Sequence, residues 1–209
     1  MADRSLRSEV CSLRTPTRLD SSSIAAHADD RDVWRILRDS FPHPYGITDA
    51  NRWIDSLASE NPRYNFAIDV EGAIVGGIGL KPGQDIERYS AELGYWLGRA
   101  YWNRGIATAA VRLLCDYAFE RLDLQRIFAV PISWNAASSR VLNKAGFHPE
   151  GTLGNACFKD GCFFGHGDVR SDSRGFGGIV RRQRRAFMGA HARLEGRARR
   201  RSSLTQPVD

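Results

Sequence analysis

The sequence predicts a mixed α/β fold, grading into α+β, in which one central sheet carries helices on both faces. Three observations predict it. Residues 64–70 (YNFAIDV) alternate apolar and polar positions, and 73–80 follow across Glu71-Gly72, a pair suited to a tight hairpin turn. Residues 92–97 (ELGYWL) set Leu93, Tyr95 and Leu97 against Glu92, Gly94 and Trp96, then pass through a breaker cluster into a helix. In that helix Ile106, Ala110, Leu113, Leu114, Tyr117 and Ala118 recur at three and four, the period of one buried face. Finally, residues 126–164 read as a short apolar strand, a helix and a hairpin. Strands interleaved with helices in this order bury both faces of a sheet.

In chain order, residues 1–10 are polar and expected to fray, and 11–14 form a short first strand. Asp20, followed by three serines, offers an N-cap for a helix carrying Ile24, Ala25, Ala28, Val33, Ile36 and Leu37. That helix must end before Phe41-Pro42-His43-Pro44-Tyr45, because each proline lacks a donor and pushes its predecessor out of helical geometry. Thr48 or Asp49 can cap the next helix, 50–60, with Trp53, Ile54 and Leu57 on one face. In the second strand of the hairpin, Gly76, Gly77 and Gly79 mark close packing or a bulge. A loop at 81–85 leads to the strand at 89–97. After the central helix come a buried strand at 126–131 and a helix at 135–144 stopped by Gly146. A strand at 147–158 then turns at Lys159-Asp160-Gly161 into 162–164. No internal repeat is visible.

A chain of 209 residues is one domain with additions, long enough for a substantial core. No apolar run is long enough to span a membrane, and the charged start MADRSLRSEV does not read as a secretory signal, so a cytosolic location is expected. The four cysteines, Cys11, Cys115, Cys157 and Cys162, show neither Cys-x-x-Cys spacing nor histidine neighbours, which points to free thiols and no metal. The net charge of +6 is unevenly placed: residues 1–170 carry 20 Lys+Arg against 21 Asp+Glu, whereas 171–209 carry 10 Arg against 3 acids. A whole-domain argument for nucleic acid binding therefore fails, and only the tail could make contact with RNA.

The turn between the 92–97 strand and the central helix carries chemistry. The first-turn N–H groups of a helix have no partners within it, and the aligned peptide dipoles place about half a positive charge there, a setting that attracts phosphate. In Trp102-Asn103-Arg104-Gly105-Ile106-Ala107-Thr108, Gly105 and the small Ala107 let the backbone approach such a group, and Arg104 adds formal charge. The alternative is that Gly105 only caps a surface helix.

Trp102-x-x-Gly105-x-Ala107 follows the 92–97 strand and precedes Asn135-x-x-Ser138 and Leu142-Asn-Lys-Ala-Gly-Phe147. This series resembles the acetyl-coenzyme A site of the GNAT acetyltransferase superfamily, and within it the RimJ/RimL-type branch, over residues 25–164. The superfamily's phosphate loop usually begins with Gln or Arg where this chain has Trp102, a departure that leaves the backbone donors intact. The resemblance implies a mostly antiparallel central sheet and an N-acetyltransferase that moves an acetyl group from acetyl-coenzyme A to a primary amine, without a metal. The acceptor would be a protein N-terminal α-amine or a small-molecule amine, and no membrane is involved. It implies a coenzyme site built from Trp96, Leu97, Trp102, Asn103, Arg104, Gly105, Ile106, Ala107, Thr108 and Asn135, with Phe41 and Tyr45 on the acceptor side. For His43 itself a bracing role in the proline segment is preferred to proton transfer.

Acetyl transfer from a thioester to an amine needs a neutral amine, a donor for the carbonyl oxygen and an acid for the departing thiolate. The resemblance puts Glu92 in the role of base, against the alternative of a salt-bridged carboxylate. Main-chain N–H groups near Trp96 and Leu97 would hold the carbonyl and the pantetheine amides. Asn135 and Ser138 lie one helical turn apart, so the Asn135 amide can hold pantetheine while Ser138 serves as the acid; N-capping is the alternative for both. Tyr95 is expected to face away. Cys115, among Leu113, Leu114 and Tyr117, belongs to the core rather than to a covalent intermediate.

Three segments follow: a flexible start (1–10), an acetyltransferase domain (11–165) and an Arg-rich tail (166–209). A GNAT fold needs a further strand after 164, and GHGDVRSDS does not look like one, so the last strand is expected to be disrupted. Residues 166–173 can be back-translated so that the next reading frame gives Thr-Ala-Met-Tyr-Ala-Leu-Ile-Pro, an alternating apolar strand. A frameshift near Gly165 would then account for the tail as an unstructured by-product with few apolar residues. The competing views are a coenzyme-binding remnant without activity, and a basic arm, residues 181–201, for RNA or the ribosome.

Overall fold

A computed structural model of the chain describes residues 6–172. Eight strands form one sheet: β1 (Leu6–Arg7), β2 (Ser12–Arg14), β3 (Asn65–Val70), β4 (Ala73–Pro82), β5 (Ser90–Leu97), β6 (Arg126–Ala129), β7 (His148–Lys159) and β8 (Cys162–Asp172), in the order β1-β2-β3-β4-β5-β6-β8-β7. Every neighbouring pair is antiparallel except β5 with β6, which is parallel. The helices are α1 (Ser21–Ala28), α2 (Arg31–Arg35), α3 (Ile47–Ala58), α4 (Ile106–Arg121) and α5 (Ala136–Lys144).

Local chemistry sets these boundaries. Glu71 and Gly72 both adopt positive φ, 53° and 89°, the pairing a two-residue turn with the twist of its strands requires. The single helix expected between the Asp20 cap and Phe41 is instead two helices, because Asp30 offers its carboxylate to the N–H groups of Asp32 and Val33 at 2.7 and 3.4 Å and restarts the helix there. Similarly, α3 begins earlier than expected, at Ile47: Gly46 is the N-cap, and Asp49 reaches back to accept from its N–H at 3.0 Å.

β7 is exposed along nearly its whole length, but around β3 to β6 the sheet is covered on both faces. On one, Ile24 and Ala28 of α1, Ala50 and Ile54 of α3, Val33 and Tyr45 pack with Ala67, Ile74 and Trp96. On the other, α4 buries Ile106, Ala110, Val111, Leu114, Cys115, Ala118 and Phe119. Gly76 belongs to a strand pair too close for a side chain: a Cβ there would clash with the Trp96 carbonyl oxygen.

The last strand, expected to be disrupted, forms. β8 runs to Asp172, pairs along β7, and sets Val169 to Asp172 antiparallel against Ala129 to Arg126 of β6. A ladder is made by main-chain groups, which GHGDVRSD supplies as well as an apolar sequence does; periodicity reports which face is buried, not whether the ladder closes. Residues 173–209, most of the Arg-rich segment, lie outside the described residues.

Candidate active site

The parallel pair β5–β6 registers only Ser90 with Arg126, Ala91 with Ile127 and Glu92 with Phe128. Beyond Glu92 the two strands part. β5 continues to Leu97 bonded to β4, while the chain after β6 runs through Val130 and Pro131 toward α5. The resulting wedge opens a cleft of about 1000 Å³, lined from the β5–α4 loop at one end to Glu92 and the α2 region at the other. An outer strand edge facing such a wedge offers its main chain to a strand-like ligand.

At the loop end the geometry suits phosphate. Gly105 is the N-cap of α4 with φ 77°, and no side chain caps the helix or places an acid in its first turn. The cleft is lined here by Asn103 through Thr108, so the first-turn amides of Ile106, Ala107 and Thr108 border it. Space is not what demands glycine: a Cβ at 105 would meet nothing within 4 Å, so the demand is the left-handed backbone alone. Asn103 shares that conformation at φ 61°. Trp102, where the superfamily has Gln or Arg, donates its indole N–H to the Leu97 carbonyl at 2.7 Å and ties the loop to the end of β5. Arg104 lies over the Tyr101 ring at 5.2 Å, and Arg140 and Lys144 of α5 add two more cations to the lining. A cleft with first-turn helix amides at the loop and three cations in its lining suits a phosphate-bearing ligand.

In the middle, Asn135 caps α5: its Oδ1 accepts from the Ser138 N–H at 3.1 Å. The capping alternative for Asn135 is thus realised, and its amide nitrogen is still available to a ligand. Tyr95 does face the opposite way from Glu92, as alternation requires, but the helix it faces is the one bearing Ser138. The Tyr95 phenol and the Ser138 hydroxyl lie 2.8 Å apart, and both residues line the cleft. Burial pushes the Tyr95 phenol up to about 12, and its bond to Ser138 offsets part of that. Tyr95, expected from alternation to face away from the site, borders the cleft instead, because α5 brings Ser138 to that face of β5.

At the far end, Glu92 is 23 % exposed and ion-paired with Arg38, which follows α2. The same segment is clasped to the β7–β8 turn by two ion pairs, Arg35 with Asp160 at 2.9 Å and Lys159 with Asp39 at 2.6 Å. Lys159 is 5 % exposed, with its ammonium 3.6 Å from the centre of the Trp34 ring. Phe41 and Tyr45, expected on the acceptor side, are not among the residues lining this cleft. Tyr45 is buried and stacks on Phe41 at 4.9 Å, and Phe41 contacts Trp96 at 5.7 Å, which makes the pair part of the core beneath β5. Trp96 is itself buried in that core and also lines the cleft. Cys115 is likewise buried in α4, its thiol pushed up by burial. Among the described residues there is no cluster able to hold a metal ion and no helix long and apolar enough to cross a membrane.

Comparison with known proteins gives a consistent picture. Residues 11–148 match the family model described as acetyltransferase (GNAT) domain. The chain is 32 % identical to uncharacterized N-acetyltransferase p20 of Bacillus licheniformis over 151 residues, 71 % of this chain and 84 % of that protein. It is 53 % identical to the probable N-acetyltransferase YjcK of Bacillus subtilis over 62 residues, 30 % of this chain, and spans 34 % of that relative's length. Among solved structures, Mycobacterium smegmatis RimJ in complex with CoA-disulfide superposes with a TM-score of 0.72 at 24 % identity, covering 81 % of this chain and 85 % of that one.

Proposed function

Since the chain belongs to the GNAT acetyltransferase family, we propose that it transfers the acetyl group of acetyl-coenzyme A directly to a primary amine. The observation that carries this is the wedge past Glu92↔Phe128, which joins a phosphate-suited helix N-terminus to a carboxylate at the opposite end of one cleft.

Each end of the cleft then has a task. The amides of Ile106, Ala107 and Thr108, with Arg104, Arg140 and Lys144, hold the phosphates. The open edge of β5 near Trp96 and Leu97 holds the pantetheine arm and its thioester carbonyl, aided by the Asn135 amide. The amine nitrogen attacks the thioester carbon, the new C–N bond forms, and the C–S bond breaks. Glu92 takes the amine's proton, directly or through water, and Ser138 supplies a proton to the leaving sulfur. Because Arg38 already occupies Glu92, an incoming amine must displace the guanidinium to reach the carboxylate. The acceptor is a protein N-terminal α-amine or a small-molecule amine.

The test is release of free thiol from acetyl-coenzyme A in the presence of a panel of primary amines, read alongside thermal stabilisation by coenzyme A. Amine-dependent thiol release, lost in Glu92→Gln, is expected. Stabilisation without turnover by any amine would favour the remnant that only binds coenzyme, and neither signal would remove the proposal altogether.

A further inference from the structure

We propose that Tyr95 is a positioning residue for the reaction, holding the Ser138 hydroxyl so that its single proton points at the departing sulfur. The inference rests on the role given above to Ser138.

The geometry is restrictive. Ser138 is fixed at its main chain by Asn135, whose Oδ1 takes its N–H at 3.1 Å. Its side chain still has a free rotor, and a serine hydroxyl in the first turn of a helix can turn to any acceptor nearby. The Tyr95 phenol closes that freedom. It lies 2.8 Å from Ser138 Oγ, with the Ser138 carbonyl at 3.5 Å as a weaker competitor for the phenol proton. A hydroxyl has one proton and two lone pairs; when the phenol donates to one of those lone pairs, the serine proton is left for a third party. The cleft is on the open side, lined by both residues.

Tyr95 could instead be the proton source, with Ser138 relaying. The two readings differ in whether the acidity of the phenol matters to the rate, which a fluorinated phenol tests. Burial raises the phenol to about 12, so at neutral pH it is protonated and able to donate to Ser138 Oγ, 2.8 Å away. The proton that ends on sulfur comes from Ser138, which is restored from the proton released by the amine; Tyr95 neither gains nor loses one.

The experiment uses the full chain and compares Tyr95→Phe, Ser138→Ala, the double variant, and protein carrying 3-fluorotyrosine at position 95. Loss of one hydrogen bond predicts that Tyr95→Phe lowers kcat about fivefold, with KM for acetyl-coenzyme A and thermal stabilisation by coenzyme A unchanged. The double variant is expected to be no slower than Ser138→Ala, because a phenol with nothing to orient does nothing. Fluorotyrosine, which keeps the shape and the bond while making the phenol more acidic, is expected to match the wild type. The inference is overturned if Tyr95→Phe keeps full kcat, if the two losses multiply in the double variant, or if fluorotyrosine raises kcat. If Ser138→Ala keeps full kcat, both the role of Ser138 and this inference fall while amine-dependent thiol release stands.

Discussion

Replacing Gly105 by alanine isolates the backbone conformation on which the proposed coenzyme binding depends. Its φ of 77° is left-handed, and a Cβ there would touch nothing within 4 Å, so no clash complicates the change. An L-residue with a β-carbon held in that region costs about 1–2 kcal/mol. The protein has two ways to absorb this. If the loop keeps its shape, the cost falls on stability, and for a domain of this size about 2–4 °C per kcal/mol gives a melting temperature lowered by about 2–8 °C with coenzyme A affinity unchanged. If the loop relaxes to negative φ, melting moves little, but the amides of Ile106, Ala107 and Thr108 turn from the phosphates and Kd rises by about 5- to 30-fold, the same energy expressed as binding. Thermal melts and titration calorimetry with coenzyme A on one preparation read both, and their sum is the predicted quantity. Gly105→Asn, carrying a side chain that tolerates the left-handed region as Asn103 does at φ 61°, is expected to lose less than half as much. Gly105→Ala with melting temperature and Kd both unchanged would refute the claim that this turn is conformationally strained against other residues.

Other consequences are direct. Arg38→Ala frees Glu92 from its ion pair; such partly exposed pairs contribute up to about 1 kcal/mol, so KM for the amine is expected to fall by up to about fivefold while KM for acetyl-coenzyme A stays put. Arg14 bonds Asp20 at 2.7 Å and holds its carboxyl below the usual carboxylate range. A depressed folded-state pKa stabilises above the unfolded value near 3.9 and is lost as pH falls through the folded value, so the melting difference between wild type and Arg14→Met should be constant from pH 7 to about 5 and shrink below pH 4. The segment from 166 onward, which we propose is a frameshift product, can be tested by a chain carrying Thr-Ala-Met-Tyr-Ala-Leu-Ile-Pro at 166–173. Burying even two of its apolar side chains at about 1.5–3 kcal/mol each should raise melting by at least about 6 °C. Unchanged melting, or codons that do not permit that frame, would remove the idea.

Much of the fold and of the loop end of the cleft is legible in the amino-acid sequence, for physical reasons that can be named. The Glu71-Gly72 turn, α4 and α5 are each set by contacts within a few residues: a pair able to take positive φ, a helical stripe, an Asn that caps its own helix. Where the outcome depends on partners far along the chain, the sequence is silent or misleading. The resemblance puts Phe41 and Tyr45 on the acceptor side of the cleft, yet the burial of Tyr45 and its stack on half-buried Phe41 depend on Trp96 and α3, far along the chain. The clasp between Lys159 and Asp39 joins residues 120 positions apart, with no local pattern to announce it. β8 is hidden for a different reason: its ladder with β6 is main-chain, and side-chain alternation says nothing about it.

The same distinction separates the two ends of the cleft. The loop end is built mainly from main chain, through the α4 amides, the β5 edge and the Gly105 turn, and its geometry follows from the fold itself. The Glu92 end is built from side-chain pairs, Arg38 with Glu92, Lys159 with Asp39 and Arg35 with Asp160, drawn from α2 and its flank and from the β7–β8 turn. A single substitution can break or reverse any of those pairs without moving a strand. Donor binding should therefore tolerate changes at Arg38, Asp39 or Lys159, whereas acceptor preference should shift with them. A set of variants at these three positions that altered amine preference and acetyl-coenzyme A affinity in equal measure would show that the two ends are not built independently.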